Sequence, residues 1–295
     1  MTSTRRALLG GLAGVASATL ARPAAARGED DRLLLLRHQS VLLELAGRRV
    51  LIDPSLEPSF SAQGLVTAPR AALEPERVGP LDVVVITSGE PWSFDPRTMA
   101  RLDIAHARVL VPDEDTARRA RRFTRRVRVL APHAVTAVAG LTVRASPGRG
   151  AFHQLVNTSV GRAMGVHLTV PGTKSLWHTG LVPPLDVDAN AVVFARANAA
   201  DVVLGCGWGA SLRAGGPALI ADIDDATALA TLCGAHTIVP LGVNDAPAPA
   251  GLFQFVWRTR ADHAPSSANA LAPRQSAARG PTVHRAAPGQ WYRFG

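Results

Sequence analysis

The stretch L-R-H-Q-S-V-L-L-E-L-A-G-R-R-V-L-I-D-P, Leu36 to Pro54, is where the architecture can first be read. Val41 to Leu45 and Arg49 to Ile52 are apolar runs of strand length, and Leu33 to Leu36 stands before them as a third. Ala46-Gly47-Arg48 supplies the turn between the later two, with a glycine where a hairpin needs positive φ. Further along, L-D-V-V-V-I-T, Leu81 to Thr87, is a continuous β-branched run, the pattern of a strand covered on both faces. More strands are expected at Arg108 to Val111, Val127 to Leu130, Leu141 to Ala145, Gly165 to Val170, Lys174 to His178, Val202 to Gly205 and Thr237 to Leu241.

Helical spacing falls between these runs, at Pro96 to Leu102, Asp113 to Phe123, Val187 to Ala199 and Asp222 to Cys233. Asp95 precedes Pro96 as an N-cap before a proline at the first helical position. Asp222-Ile-Asp-Asp opens the last helix and Gly234 follows its end. Strand-rich halves, each followed by helices, predict an α/β architecture of two mixed sheets packed face to face with helices outside, in one domain from about residue 31 to 295. Residues 245–290 are richer in Pro, Ala and Ser and read as a decorated C-terminal portion of that domain.

Composition narrows the function classes. The chain has 295 residues, of which 47% are hydrophobic and 19% charged, with 2 Cys, which excludes a coiled coil, a disordered acidic chain and a disulfide scaffold. Cys206 and Cys233 read as buried thiols. The net charge of +9 resembles a nucleic-acid signal, but every basic residue except Lys174 is arginine, the habit of a GC-rich genome. Beyond the N-terminal segment, no apolar run reaches the roughly 20 residues of a membrane span.

Residues 1–26 read as an export signal of the twin-arginine type. Arg5 and Arg6 form a positive start in S-T-R-R-A-L-L, Ala7 to Leu20 is mildly apolar and uncharged, and Ala24, Ala25 and Ala26 offer a cleavage site. The expected location is periplasmic or extracellular.

The Leu36 to Pro54 stretch resembles the opening hairpin of the metallo-β-lactamase superfamily, in the branch that includes ascorbate-phosphate lactonases. Its members begin G-H-x-S-x-L-x-E, then a Gly turn and I-L-I-D-P. L-D-V-V-V-I-T-S, T-K-S-L-W-H-T-G, A-D-V-V-L, T-I-V-P-L-G and the ending P-G-Q-W-Y-R-F follow in the family's order. The resemblance implies an αββα sandwich and, in a typical member, a metal-dependent hydrolase. It also implies a metal site built from H-x-H-x-D-H in the loop after Thr87, where bound water becomes a nucleophile. This chain reads S-G-E-P-W-S there: Ser88, Glu90 and Ser93 stand at the histidine positions and Trp92 at the aspartate. Later ligand positions fall on S-P-G-R-G after Ala145, on Leu181 after Gly180, and on Gly242 after V-P-L. The expectation is therefore a relative with its metal site replaced and no cofactor, binding an unidentified small molecule or envelope component.

Two chemistries stay open beside that reading. A rebuilt site for Zn or Mn would draw on Glu90, His153 and His178, serving hydrolysis of ester, lactone or phosphoester bonds. A metal-free hydrolase would pair Ser88 or Ser93 with a base, His178 approaching across the cleft. His38 and Asp53 lie near the same cleft as hairpin framework. Elsewhere, R-R-A-R-R-F-T-R-R-V-R places Arg118, Arg119, Arg121, Arg122, Arg125 and Arg126 on a helix running into a strand, as one dense positive face for an anionic surface. No aromatic residues are interleaved for stacking on bases, so nucleic acid is not expected. G-C-G-W-G, Gly205 to Gly209, lacks a phosphate-loop lysine and reads as a cleft-edge turn.

Overall fold

The computed structural model describes residues 31–57, 66–67, 70–148, 162–170, 174–180, 189–212, 218–242, 248–249, 257–259, 280–284 and 287–294. Residues 1–26, read above as an export signal, His153 and Leu181 lie outside the described residues.

The quoted stretch forms three strands: β1 (Arg32–Arg37), β2 (Ser40–Leu45) and β3 (Arg48–Ile52), each pair antiparallel. The β2–β3 turn is shorter than expected, because Arg48 already pairs with Leu45. Only Ala46 and Gly47 turn the chain, with φ of 47° and 72°, the pair of positive values that matches strand twist in a two-residue hairpin. After the short β4 (Val66–Thr67), the chain crosses over to β5 (Val83–Val85), β6 (Arg108–Val111) and β7 (Val127–Val129), all parallel to β3.

The second sheet takes β8 (Val135–Val138), β9 (Leu141–Gly148), β10 (Ala163–Thr169), β11 (Leu176–His178), β12 (Val202–Cys206) and β15 (Thr237–Leu241). Between the last two lie β13 (Trp208–Leu212) and β14 (Ala218–Asp222), which form a separate small sheet with β17 (Trp257–Thr259); β16 (Ala248–Pro249) pairs with β4. The C-terminal portion closes both large sheets: β18 (Thr282–Val283) adds beside β15, and β19 (Trp291–Arg293) beside β1. Both sheets have seven strands, in the orders β19-β1-β2-β3-β5-β6-β7 and β18-β15-β12-β11-β10-β9-β8.

Strand periodicity explains the layers. In the run Leu33 to Leu36, alternate side chains enter different cores. Leu33 and Leu35 face the inter-sheet core with Val41, Val50, Val143, Val166 and Leu204. Leu34 and Leu36 pack outward with Met99 and Ala117 of the helices α1 (Pro96–Arg101) and α2 (Glu114–Ala120). The second sheet has its own outer layer, where Trp177, Val203 and Ile238 meet Phe194 of α3 (Ala189–Ala197) and Leu229 of α4 (Ile223–Leu232). Each fully buried large aliphatic side chain contributes about 1.5–3 kcal/mol, which is why continuous apolar runs favour this double burial.

The expected caps are present. Asp95 accepts the Arg97 and Thr98 N–H groups, and Asp222 and Asp225 form a reciprocal capping box at α4. Cys206 and Cys233 are buried and not joined in a disulfide.

Two sequence expectations change. G-C-G-W-G is not a turn: Gly205 and Cys206 end β12 and Trp208 begins β13. Gly205 serves layer packing, since a Cβ there would lie 2.5 Å from the Cβ of Ala226 on α4. The arginine stretch is not one face either, because α2 ends at Ala120 and the chain turns before β7. Arg118 and Arg121 pair with Asp115 and Glu114, Arg119 reaches inward to the Gly89 carbonyl, and Arg125, Arg126 and Arg128 continue along the edge of the first sheet. Among the described residues no helix is long and apolar enough to cross a membrane.

Candidate functional site

The parallel strands β3, β5 and β6 end on one edge of the first sheet, and β11 and β12 are likewise parallel in the second. Carboxyl ends of parallel strands are where open α/β sheets place ligand sites. Here β3 leads into Asp53, β5 into Thr87 and Ser88, and β11 ends at His178. The two sheets are tied together at this edge, since the Met164 N–H donates to the Thr87 carbonyl at 2.8 Å.

Asp53 is fully buried in a left-handed conformation, φ 53°, which asparagine and aspartate tolerate better than most residues. Its carboxyl accepts the Thr87 N–H through Oδ1 and the Thr87 hydroxyl through Oδ2, both at 2.7 Å. The Thr87 hydroxyl also lies 3.3 Å from Ser93 Oγ. Burial outweighs these bonds and pushes the Asp53 pKa up to about 8, with the charge of Glu90 adding to the rise. Ser40 donates to the Asp53 carbonyl and Ser55 to the Pro91 carbonyl, so the hairpin and the β5 loop brace each other.

Glu90 is also fully buried. Its Oε2 accepts the Trp92 indole N–H at 2.8 Å, with Ser88 Oγ at 3.5 Å, while its own N–H donates to Ser88 Oγ at 3.2 Å. Arg119 closes the loop from outside: it donates to the Gly89 carbonyl at 2.7 Å and stacks 4.4 Å from the centre of the Phe94 ring.

His178 does not reach Ser88 or Ser93. Its Nδ1 accepts the Gly180 N–H at 3.1 Å, which leaves the proton on Nε2, and that nitrogen lies 3.2 Å from the Gln39 carbonyl it donates to. Burial lowers its pKa to about 4, so the ring is neutral. With both nitrogens engaged it offers neither a lone pair to an ion nor a base to a serine. His38, at φ 48° in the β1–β2 turn, is buried, and burial with the neighbouring Arg37 charge lowers its pKa to about 3. Gly242 follows β15 buried, at φ 74°.

A divalent ion needs several oxygen, nitrogen or sulfur donors converging on one point. Among the described residues no three His, Cys, Asp or Glu side chains converge in this way. Among the described residues the donors do not fit an ion as they stand: Glu90 accepts from an indole, burial disfavours the ionised form of Asp53, and both ring nitrogens of His178 are engaged. Sequence reasoning missed Thr87, Arg119 and Gln39 as parts of this edge. Gln39 is buried, and neither polar atom of its side chain has a hydrogen-bond partner among the described residues. Only the position of Thr87, next to the ligand loop at the end of a strand, was a usable signal.

Solved structures of similar architecture include an isothiocyanate hydrolase from Delia radicum gut bacteria, at 19% identity and a TM-score of 0.67 over 89% of this chain and 99% of that one. A possible metal-dependent hydrolase from Veillonella parvula aligns at 15% identity and a TM-score of 0.66, over 91% of this chain and 100% of that one. A metallo hydrolase from the archaeon Ignicoccus hospitalis aligns at 19% and 0.62, over 90% and 98%. At such identities these likenesses speak for the fold. No curated protein matches the chain in sequence. The model of the beta-lactamase superfamily domain matches residues 48–242, from the second strand of the hairpin to the glycine after β15. The two-sheet sandwich and that match together make this chain a member of the beta-lactamase superfamily, with the metallo-β-lactamase fold.

Proposed function

We propose that this is an exported member of the superfamily that keeps the sandwich for binding or structure and has given up metal-dependent hydrolysis. The observation that carries the reading is Glu90. Among Ser88, Glu90, Trp92 and Ser93 it is the one side chain with metal-binding chemistry, and its carboxylate is buried against the Trp92 indole N–H at 2.8 Å. The resemblance to the ascorbate-phosphate lactonase branch supports a cleft suited to a small molecule, and residues 1–26 support export. The test is metal content. Purified protein is offered excess Zn²⁺ and Mn²⁺, freed of unbound ions, and analysed by elemental mass spectrometry. No stoichiometric metal in a folded sample is expected, and one equivalent or more overturns the reading.

A second reading, a hydrolase of ester, lactone or phosphoester bonds with a rebuilt site, draws support from the carboxyl pair. Asp53 and Glu90 are both fully buried, and a bound cation would favour the ionised form of Asp53 that burial and the Glu90 charge disfavour. On that reading Glu90→Ala abolishes both metal uptake and turnover.

A further inference from the structure

The edge strand of each large sheet lies at one side of the sandwich, β7 in the first and β8 in the second. Between them runs a groove of about 400 Å³, a size that suits a small ligand. Its floor is apolar: Leu110 and Val138 both belong to the inter-sheet core. Its walls carry Arg108 from β6, Arg125 and Arg126 from the turn before β7, and Arg128 from β7, and all four are exposed. No Asp or Glu lines the groove, and none of these four arginines is in an ion pair among the described residues. Arg126 is oriented by a bond to the His106 carbonyl at 2.9 Å, and Arg128 by one to the Thr136 hydroxyl.

The contrast with α2 is informative. Arg118 and Arg121, a few residues earlier, have acidic partners one turn or two away. The groove arginines have been left without such partners, and they come from separate parts of the chain that only the fold assembles. Four like charges around one concavity repel each other, which a multiply charged anion would reverse. Guanidinium groups match phosphate in particular, through paired N–H donors in a planar fork.

We propose that this groove binds a ligand bearing two or more adjacent phosphate groups. The probe is inorganic tripolyphosphate, titrated into the full chain by calorimetry, with orthophosphate as the singly phosphorylated comparison. Saturable one-to-one binding is expected, tighter than for orthophosphate and weakened by salt. The variant Arg108→Gln/Arg125→Gln should raise Kd by about tenfold or more, because two charge-assisted contacts are lost. Neither side chain makes a bond on which the fold depends, and circular dichroism checks that the variant is folded. Arg118→Gln/Arg121→Gln makes the same charge change at the C-terminal end of α2 and should leave Kd unchanged. Equal weakening by the two double variants, or no saturable binding, overturns the proposal. Sedimentation with phosphatidylcholine vesicles carrying a polyprenyl diphosphate, whose headgroup has two adjacent phosphates, identifies the source of the phosphate. Retention that tripolyphosphate competes away and that Arg108→Gln/Arg125→Gln removes assigns a lipid headgroup, whereas tripolyphosphate binding without retention assigns a soluble ligand.

Discussion

The strand-end cluster around Asp53 and Glu90 and the arginine groove at the sheet edge are opposite in construction. In the cluster, Asp53, Thr87, Ser88, Glu90, Ser93 and His178 are all buried, and the bonds they make run back to the protein itself. In the groove, charged groups stand exposed and, among the described residues, without acidic partners. Among the described residues, the polar groups at the strand ends are engaged with the protein itself, whereas those of the groove face solvent. Polar groups stabilise a fold when satisfied inside it, and serve recognition when left facing solvent.

Stability measurements can break this comparison. The largest effect is expected from Glu90→Ala, which leaves the Trp92 indole N–H buried without its acceptor and should cost about 3 kcal/mol in urea denaturation. A neutral result would mean that the β5 loop is not braced as described. Thr87→Val should follow at about 2 kcal/mol, since both oxygens of Asp53 accept from Thr87 and one of them would lose its donor.

The pH dependence sharpens the same point. Asp53 has a folded pKa near 8, above its ordinary value of 3.8, so its contribution to stability is present at low pH and is lost as pH rises from about 4 through 8. His38 and His178 have folded values near 3 and 4, below 6.5, so their contribution is present above pH 6.5 and is lost as pH falls toward those values. Asp53→Asn removes the first dependence while an amide can still bond to Thr87. Its Tm relative to the parent should rise by roughly 10 °C between pH 5 and pH 8.5. A gap that does not change with pH would show that Asp53 is ionised in the fold.

Smaller effects lie toward the surface. Arg119→Ala removes the bond to Gly89 and the stacking on Phe94, and should cost about 1 kcal/mol in the same denaturation experiment. Arg108→Gln/Arg125→Gln should change stability by no more than about 0.5 kcal/mol, as expected of exposed side chains with no partner to lose. If it destabilised the chain as much as Glu90→Ala, the division between scaffold and recognition would fail.

The hairpin Leu36 to Pro54, the parallel run Leu81 to Thr87 and the caps at Asp95 and Asp222 were legible because each rests on local chemistry: periodicity, turn residues and a side chain bonding to nearby N–H groups. Short edge strands such as β8 and β18 were not, since their stability comes from pairing with distant partners. At the strand ends, the residue types in the β5 loop were readable, Ser88, Glu90 and Ser93 among them. Which of them bond to one another was not. The tautomer of His178 depends on Gly180 and on a carbonyl 139 positions away in the chain.

By itself, then, the sequence determined the layers, the family and the identity of the groups along the strand ends. These follow from side-chain pattern and local backbone preference, which act over a few residues. Only the tertiary structure decided that burial raises the Asp53 pKa, that Glu90 accepts from Trp92, and that Arg108 joins Arg125, Arg126 and Arg128 around one groove. Desolvation and electrostatic coupling depend on distances in space, and those distances arise only when the two sheets close on each other.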